Sequence, residues 1–384
     1  MRLLAALLLL TAVAGRPAPS QLHVTDRQFV TAEGRPFQWR GITAFRLLEL
    51  VAHGREQDAE RYLRWAHVEG LTVARVLAMA TNLFTLSPED GRAALPRLLQ
   101  IARRHQMNLE VVALADTRDV RVDLDEHVAA IGRIIAEHGN GVLEIANEPG
   151  HATQAPEVEK TDVLSRLRRR VAASVPVALG SVERGDGFAA ADYVTWHAPR
   201  RTSDNGWGHV LAIAEGDAML RTWNKPVVSD EPMGAGERFE PGRRDDDCAR
   251  FLAAALLTRF AGLGATFHYQ EGLNAAIPTG RQLQCFKSWN SAWTLLPADI
   301  ERRGVFRRAG ESGAAVSTFS ARRALAVFER QADDTAWVLV IRPQPSFSAA
   351  WAEGWRISRV RRLDGAWIIT ARRGQASRKR DGDF

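Results

Sequence analysis

Short apolar segments alternate with helical segments between residues 37 and 300, and this alternation restricts the fold more than any other feature of the chain. Most of the intervening stretches carry apolar residues at three- and four-residue spacing, the period of an amphipathic helix. Eight such β/α units predict a (β/α)₈ TIM barrel. A doubly wound open sheet is the alternative, and no GxGxxG or phosphate-loop motif favours it. The eight predicted strands are residues 37–42, 72–77, 109–114, 142–146, 176–179, 193–196, 226–229 and 265–269, and the predicted helices are 58–68, 88–105, 123–138, 158–173, 210–223, 246–261 and 282–293.

The segments on either side of the barrel predict three further parts. Residues 1–20 have a positively charged start, an apolar run over 3–14 and a small-x-small sequence at 12–14, which is typical of a cleaved signal peptide. The apolar run is too short to span a bilayer. Residues 23–37 predict a hairpin that plugs the bottom of the barrel. After residue 305, short alternating segments at 324–330, 336–342, 355–362 and 366–371 predict a small antiparallel β domain.

These patterns divide the chain into a signal peptide (1–20), a barrel (21–305) and a small β domain with a polar tail (306–384). We therefore expect a secreted or periplasmic protein without stable membrane insertion. The oligomeric state is left open.

The two cysteines, Cys248 and Cys285, fall near the starts of two consecutive predicted helices. In an oxidising compartment this placement favours a disulfide, and two unrelated buried thiols are the alternative. The sequence has no CxxC or HxxxH spacing, so we predict no metal site and no cofactor.

The formal net charge is +6, with 47 arginines and only 4 lysines. The arginines are spread along the chain and form no stripe interleaved with aromatic residues. The sequence therefore does not predict a nucleic-acid partner.

Two predicted strands end in a Glu-Pro pair, at Glu148 and at Glu231. Catalytic groups of a β/α barrel lie at the C-terminal ends of its strands, and two carboxylates facing each other there are typical of enzymes that cleave glycosidic bonds. Because side chains alternate along a strand, Glu231 rather than Asp230 is expected to point inward. The alternative for Glu231 is a structural role in the loop that follows.

Glu144 shares a face of its strand with Glu148 and is expected to lie one layer deeper in the barrel. A buried charge needs a partner, and Arg75 in the second predicted strand is the best candidate. The pair is either structural or serves to orient a catalytic carboxylate.

The sequence Leu-Glu-Ile-Ala-Asn-Glu-Pro at residues 143–149 resembles the strand-four signature of glycoside hydrolase clan A, closest to its family 5-like (cellulase- and mannanase-type) members. Glu231 at the seventh strand, Arg75 in the second and residues 37–41 in the first are also similar to that group. The resemblance spans about residues 22–300. It implies a retaining O-glycosyl hydrolase that acts on a β-linked oligo- or polysaccharide without a cofactor.

In that resemblance Glu148 is the general acid/base, Glu231 is the nucleophile, and Asn147 contacts the sugar 2-hydroxyl. His197, at the end of the sixth strand, would bond near the nucleophile. Arg75 would keep Glu231 ionised, and the charge of Glu231 would raise the pKa of Glu148.

Three aromatic side chains, Trp196, Trp207 and Tyr269, are candidates for sugar stacking, and core packing is the alternative for each. The chain departs from family 5-like enzymes at Pro199, where they commonly carry Tyr, and it also lacks their strand-eight Trp and strand-three His. These departures motivate a second hypothesis, a carbohydrate-binding barrel without turnover. A third, a binder of nucleic acid or another anionic polymer, has only the basic charge in its favour.

Overall fold

The structure, a computed structural model, describes residues 21–180, 186–200, 204–240, 243–319, 324–344 and 347–374, without the side chains of 186–187 and 238–244. The predicted signal peptide and most of the polar tail lie outside the described residues.

The strands, in chain order, are β1 His23–Thr25, β2 Gln28–Val30, β3 Arg40–Thr43, β4 Val73–Leu77, β5 Asn108–Leu114, β6 Gly141–Ala146, β7 Val177–Ala178, β8 Val194–Thr195, β9 Val227–Ser229, β10 Arg238–Glu240, β11 Arg243–Arg244, β12 Gly264–Phe267, β13 Val305–Arg308, β14 Val316–Phe319, β15 Ala326–Ala332, β16 Thr335–Ile341, β17 Ala349–Trp351, β18 Trp355–Leu363 and β19 Ala366–Arg373. The α-helices are α1 Leu47–Ala52, α2 Glu56–Val68, α3 Pro88–Arg104, α4 Leu124–His138, α5 Thr161–Arg168, α6 Trp207–Ile213, α7 Glu215–Trp223, α8 Cys248–Ala261 and α9 Gly280–Leu295.

Eight parallel strands form the (β/α)₈ barrel, which confirms the predicted fold class. The strands pair in the order β7-β6-β5-β4-β3-β12-β9-β8. The Asp192 amide donates a hydrogen bond of 2.7 Å to the Val177 carbonyl and so links the two end strands. The predicted helix over 210–223 is two helices that meet at Ala214, and α1 was not predicted.

Polar side chains begin several of the barrel helices. Ser87, Asp123 and Asp247 each accept a hydrogen bond from a backbone amide in the first turn of α3, α4 and α8. Such caps satisfy amides that have no partner within the helix. None of the described helices is both long enough and apolar enough to cross a membrane.

The hairpin of β1 and β2 covers the N-terminal ends of the barrel strands. Phe29 of β2 lies 5.0 Å from the ring of Trp39 and 5.2 Å from the ring of Tyr193. Val73, Val142 and other residues of the lower barrel complete this apolar cluster. The hairpin therefore closes the bottom of the barrel, as predicted.

The C-terminal domain is a five-stranded antiparallel sheet in the order β13-β15-β16-β19-β18, with a two-stranded sheet, β14-β17, beside it. Phe328, Leu339 and Ile368 on one face join the hydrophobic core of the barrel. Val340 and Ile369 on the other face pack within the domain. The shared core joins the domain to the barrel.

Cys248 and Cys285 form a disulfide across a Cα–Cα distance of 4.3 Å. Cys248 is the first residue of α8, and Cys285 lies in the second turn of α9. The bond therefore joins the two helices on either side of β12, and it closes a loop with a sequence separation of 37.

We predict that replacing both Cys248 and Cys285 by Ala lowers the free energy of unfolding by about 4 kcal/mol, because the loop no longer restricts the unfolded chain. Urea denaturation of the wild type and the double variant measures the difference. The wild type under reducing conditions should unfold at the midpoint of the variant. An unchanged midpoint in the double variant would contradict the prediction.

Candidate active site at the C-terminal end of the barrel

Glu148 and Glu231 follow the ends of β6 and β9 and lie at the same end of the barrel. One carboxylate oxygen of each, together with a ring nitrogen of His197, lies within 4.8 Å of the other two. The side chain of Glu148 is 38% exposed and that of Glu231 is 10% exposed. The pair therefore combines one deep carboxylate with one that reaches solvent.

Arg75 of β4 is fully buried and organises the floor of this site. Its guanidinium donates to both oxygens of Glu144, at 3.0 and 3.1 Å, and to Glu231 Oε2 at 2.7 Å. It also donates to Asn147 Oδ1 at 2.9 Å. One side chain thus orients two carboxylates and the amide that precedes Glu148.

Asp230 also faces the site, and the prediction that it points away from Glu231 is wrong. Its carboxylate lies 3.2 Å from Arg75 Nε and 3.5 Å from His197 Nε2. The alternation that motivated the prediction holds only within a strand, and β9 ends at Ser229. Burial raises the pKa of Asp230, but Arg75 and His197 outweigh it and lower that pKa below its usual value.

Glu110 of β5 adds another buried carboxyl group that the sequence did not suggest. It accepts a hydrogen bond of 3.0 Å from the Tyr193 hydroxyl, and it lies 3.8 Å from Arg75. Burial and the nearby charges of Asp230 and Glu144 raise the pKa of Glu110 well above its usual value. Burial also raises the pKa of Glu144, to about 7 despite the attraction of Arg75. Two carboxyl groups in the floor of the site, Glu110 and Glu144, therefore have raised pKa values.

His197 binds Glu148 directly, with its Nδ1 3.2 Å from Glu148 Oε1. Burial disfavours the charged imidazole, but Asp230 and Glu231 outweigh it and raise the pKa of His197 to about 10. This bond lowers the pKa of Glu148, although burial and the charge of Glu231 act in the opposite direction. The expected rise in the pKa of Glu148 is therefore not found in the free protein.

Glu231 is held in its ionised form. Burial raises its pKa, but the neighbouring His197, His268 and Arg75 outweigh that effect and keep the pKa far below its usual range. Arg200 approaches from the opposite side, with its Nη2 3.4 Å from Glu231 Oε1. A buried carboxylate among cations is suited to attack an electrophilic carbon.

A hydrogen-bonded chain that the sequence did not reveal supports Arg200. Its other terminal nitrogen lies 3.3 Å from Glu237 Oε2. Glu237 Oε1 lies 2.8 Å from His268 Nε2, and His268 Nδ1 lies 2.7 Å from Thr43 Oγ1. The Gly234 amide donates to Glu237 Oε2 at 2.8 Å. Arg200 and Glu237 come from loops above the strands, where no periodic pattern marks an inward side chain.

Two of the predicted sugar-binding aromatic residues lie in the core instead. Tyr269 is fully buried, lies 2.8 Å from the hydroxyl of Tyr62 and donates to the Ala276 carbonyl at 2.6 Å. Trp196 is 5% exposed and packs on Gly216 of α7. Neither ring is placed to stack on a sugar, because strand-end aromatic residues here fill the space between the barrel and its helices.

Trp207, the third candidate, packs in a similar way at the start of α6. It is 5% exposed and lies against Gly365 of the C-terminal domain. The guanidinium carbon of Arg342 lies 5.4 Å from its ring centre. This ring belongs to the interface between barrel and domain.

Among the described residues, two groups of side chains have the spacing of a metal site. In the first, Glu148, His197 and Glu231 surround the mouth, and in the second, Glu110, Glu144 and Asp230 lie beneath it. Arg75 lies within 4.0 Å of all three carboxylates of the second group. The positively charged guanidinium of Arg75 thus takes the position that a metal ion would have among these carboxylates.

A cavity of about 510 Å³ lies at the opposite end of the barrel, between the hairpin and the C-terminal domain. Its walls include Trp39, Asp217, Arg259 and Arg330, and none of the carboxylates around Arg75 reaches it. We therefore place the candidate active site at the C-terminal ends of the strands.

Solved structures of glycoside hydrolases share this fold. One described as a glycoside hydrolase aligns with a TM-score of 0.61 at 12% identity, over 92% of this chain and 97% of the other. A family 5 glycoside hydrolase from Bacteroides vulgatus aligns with a TM-score of 0.57 at 11% identity, over 92% and 93%. The beta-glucanase SdGluc5_26A from Saccharophagus degradans, in complex with cellotetraose, aligns with a TM-score of 0.52 at 12% identity, over 71% and 93%. The sequence itself matches no protein-family model and no curated protein.

At these identities the likeness establishes the barrel fold of family 5-like glycoside hydrolases. It extends over both the barrel and the C-terminal domain for the two longer alignments, which cover 92% of the chain.

We predict that Glu110→Gln removes a pH-dependent loss of stability. The folded state keeps Glu110 protonated, whereas the unfolded chain ionises it near its usual value of 4.5. Above about pH 5 the wild type should therefore lose up to about 1.4 kcal/mol per pH unit relative to Glu110→Gln. Denaturant unfolding of both proteins between pH 5 and 8 measures this difference, and parallel stability curves would contradict it.

We also predict that His197→Asn raises the pKa of Glu148. The substitution removes the largest cause of its lowered pKa and leaves the charge of Glu231 in place. Carbon-13 NMR titration of glutamate carboxyl groups, with Glu148→Gln to assign the resonance, measures the shift. A pKa of Glu148 equal to that in the wild type would show that the bond to His197 does not control it.

Proposed function

We propose that this protein is an exported retaining glycoside hydrolase that cleaves O-glycosidic bonds of a β-linked saccharide by double displacement. The observation that carries the proposal is the approach of Glu148 and Glu231, whose oxygens lie within 4.8 Å at the C-terminal end of the barrel. Retaining glycosidases hold their two carboxyl groups about 5–5.5 Å apart, whereas inverting enzymes need about 6.5–9.5 Å for a water molecule.

In the first step, the Glu231 carboxylate attacks the anomeric carbon while Glu148 gives its proton to the leaving oxygen. A glycosyl ester forms on Glu231 as the glycosidic bond breaks. In the second step, Glu148 takes a proton from water, and the resulting hydroxide displaces Glu231 from the sugar. Glu148 is protonated again, and Glu231 is again a carboxylate.

The acid role requires that Glu148 carry a proton when substrate is bound, although the bond to His197 keeps it ionised in the free protein. A saccharide in the mouth would exclude water from the exposed side of Glu148. Burial favours the neutral carboxyl group, and so does the negative charge of Glu231. Substrate binding therefore moves the carboxyl group toward its acid form.

Asn147 is suited to hold the sugar next to the two carboxyl groups. Its carbonyl oxygen is already bound by Arg75, which directs the amide nitrogen as a donor. This amide nitrogen, beside Glu148, can donate a hydrogen bond to the 2-hydroxyl oxygen of the sugar, a contact that strengthens at the transition state. The resemblance to family 5-like enzymes and the cellotetraose bound by the beta-glucanase with this fold support the proposal of a β-linked substrate.

We predict that wild type releases sugar from a member of a panel of β-linked polysaccharides and aryl glycosides, and that Glu231→Gln does not. Glu148→Gln should lower kcat by about 10²–10⁴-fold on natural substrates, and less on aryl glycosides whose leaving group needs no proton. Reducing-sugar and chromophore release measure these rates. Glu137→Gln, on the exposed face of α4, is the matched control and should retain full activity.

Azide tests the covalent intermediate directly. In Glu148→Ala, azide should restore turnover of an aryl glycoside and give a β-glycosyl azide, because it attacks the glycosyl ester without a base. An α-glycosyl azide would contradict retention of configuration.

A carbohydrate-binding barrel without turnover is the second candidate, and the ionised Glu148 of the free protein favours it. Absence of release from every substrate, together with saccharide binding that survives both Glu→Gln substitutions, would support this candidate.

A further inference from the structure

The strand β18 is the last strand of the C-terminal sheet and pairs on one side with β19. It is nine residues long, and four of them are arginines. The described side chains from Arg356 to Val360 are all exposed. The edge of the domain is therefore a long, basic and accessible strip.

Strand register places three of the four arginines of β18 on one face, whereas Arg362, which pairs with Trp367, lies on the other. Arg359 pairs with Thr370 and Arg361 pairs with Ile368, which faces the barrel. Arg356 pairs with Arg372 on the same side of the sheet. These four residues, Arg356, Arg359, Arg361 and Arg372, form what we call the arginine row, with about 7 Å between Arg359 and Arg361 along β18.

The arginine row lacks the acidic partners that would make it a set of surface ion pairs. In the described part of the chain, no carboxylate lies within 4.0 Å of its three members on β18. Arg372 has a contact of 3.9 Å with Asp334, and Arg361 donates to the Leu295 carbonyl at 3.3 Å. Exposed arginines elsewhere, such as Arg55 and Arg61 of the barrel, pair with Asp58.

This arrangement works against the stability of the sheet. Like charges directly opposite each other on neighbouring strands, as at Arg356 and Arg372, are destabilising. A charge or two on an edge strand suffices to prevent pairing with another sheet. The arginine row exceeds that need, which indicates a ligand of opposite charge.

We propose that the arginine row binds an anionic polysaccharide and holds the protein on it. Guanidinium groups bind carboxylates and sulfates in bidentate fashion, and a linear row fits a chain that repeats its charge. The exposed residues between the arginines are Ile357, Ser358 and Val360, which offer no ring for stacking of nucleic-acid bases. The candidate glycosidase site in the same chain also favours a polysaccharide, and this is the only step that rests on the proposed function.

Alginate, a carboxylated polysaccharide, is the probe, with neutral hydroxyethylcellulose and a DNA duplex for comparison. Affinity electrophoresis of the full-length protein should show binding to alginate that weakens as salt is added. The triple variant R356Q/R359Q/R361Q should bind about tenfold more weakly. A control triple variant, R61Q/R64Q/R133Q, loses the same charge from exposed barrel helices and should bind as the wild type does.

Three results would overturn the proposal. If the control variant binds alginate as weakly as the triple variant does, the binding depends only on net charge. Tighter binding of the DNA duplex than of alginate would identify a nucleic-acid partner instead. Unchanged alginate affinity in the triple variant, with new aggregation, would show that the arginines only protect the sheet edge.

If the triple variant does not remain folded, the single substitutions R356Q and R359Q take its place, and each should weaken binding about twofold to threefold. If neither R356Q nor R359Q weakens alginate binding, the proposal is refuted. The measurement is independent of turnover, since Glu231→Gln should bind alginate as the wild type does. An inactive barrel would therefore leave this result unchanged.

Discussion

The buried guanidinium of Arg75 is the interaction on which the site depends. Removing a charged side chain from water costs several kcal/mol, and only close, hydrogen-bonded partners offset that cost. Arg75 has such partners in Glu144, Glu231 and Asn147. These partners belong to the ends of β6 and β9, on either side of the barrel, so one residue of β4 fixes the distance between the two candidate catalytic strands.

The charges around Arg75 explain why the two ends of the cluster behave differently. Three buried carboxyl groups, Glu110, Glu144 and Asp230, lie beneath the mouth, and Arg75 alone cannot neutralise them together with Glu231. Burial and this repulsion raise the pKa of Glu110 and Glu144, whereas Arg75 and His197 lower the pKa of Asp230. The positive charges around Glu231, which include His197 and Arg75, keep its carboxylate ionised. Raised pKa values at Glu110 and Glu144 thus accompany a lowered pKa at Glu231 above them.

Sequence periodicity was enough to predict the fold, and together with the family resemblance it predicted which side chains meet in the inner part of the candidate site. Glu148, Glu231, Asn147, Arg75 and His197 all lie within or just beyond strands, where the register of a parallel barrel determines which residues meet. Asp230 was misplaced because alternation ends with the strand. Arg200 and Glu237 reach the site from loops, whose paths leave no periodic signal.

The predicted sugar-stacking role of the aromatic residues was wrong for a different reason. An aromatic ring at a strand end can either stack on a sugar or fill the space between the barrel and its helices. Trp196 and Tyr269 do the latter. The direction of the pKa shift of Glu148 could not be predicted from the sequence either, because it depends on the 3.2 Å contact with His197.

The distribution of arginines over the surface could not be predicted from their positions in the sequence either. Arginines spread evenly along a sequence need not be spread evenly over a surface, because antiparallel pairing brings distant positions side by side. Arg356 and Arg372 are 16 positions apart in sequence and directly opposite in the sheet. In the barrel, by contrast, helical neighbours at three-residue spacing give arginines such as Arg55 and Arg61 an acidic partner in Asp58. Arg356, Arg359 and Arg361 therefore form a patch of positive charge on the C-terminal domain. Under the two proposals, the arginine row attracts an anionic chain at a site separate from Glu148, the proposed acid.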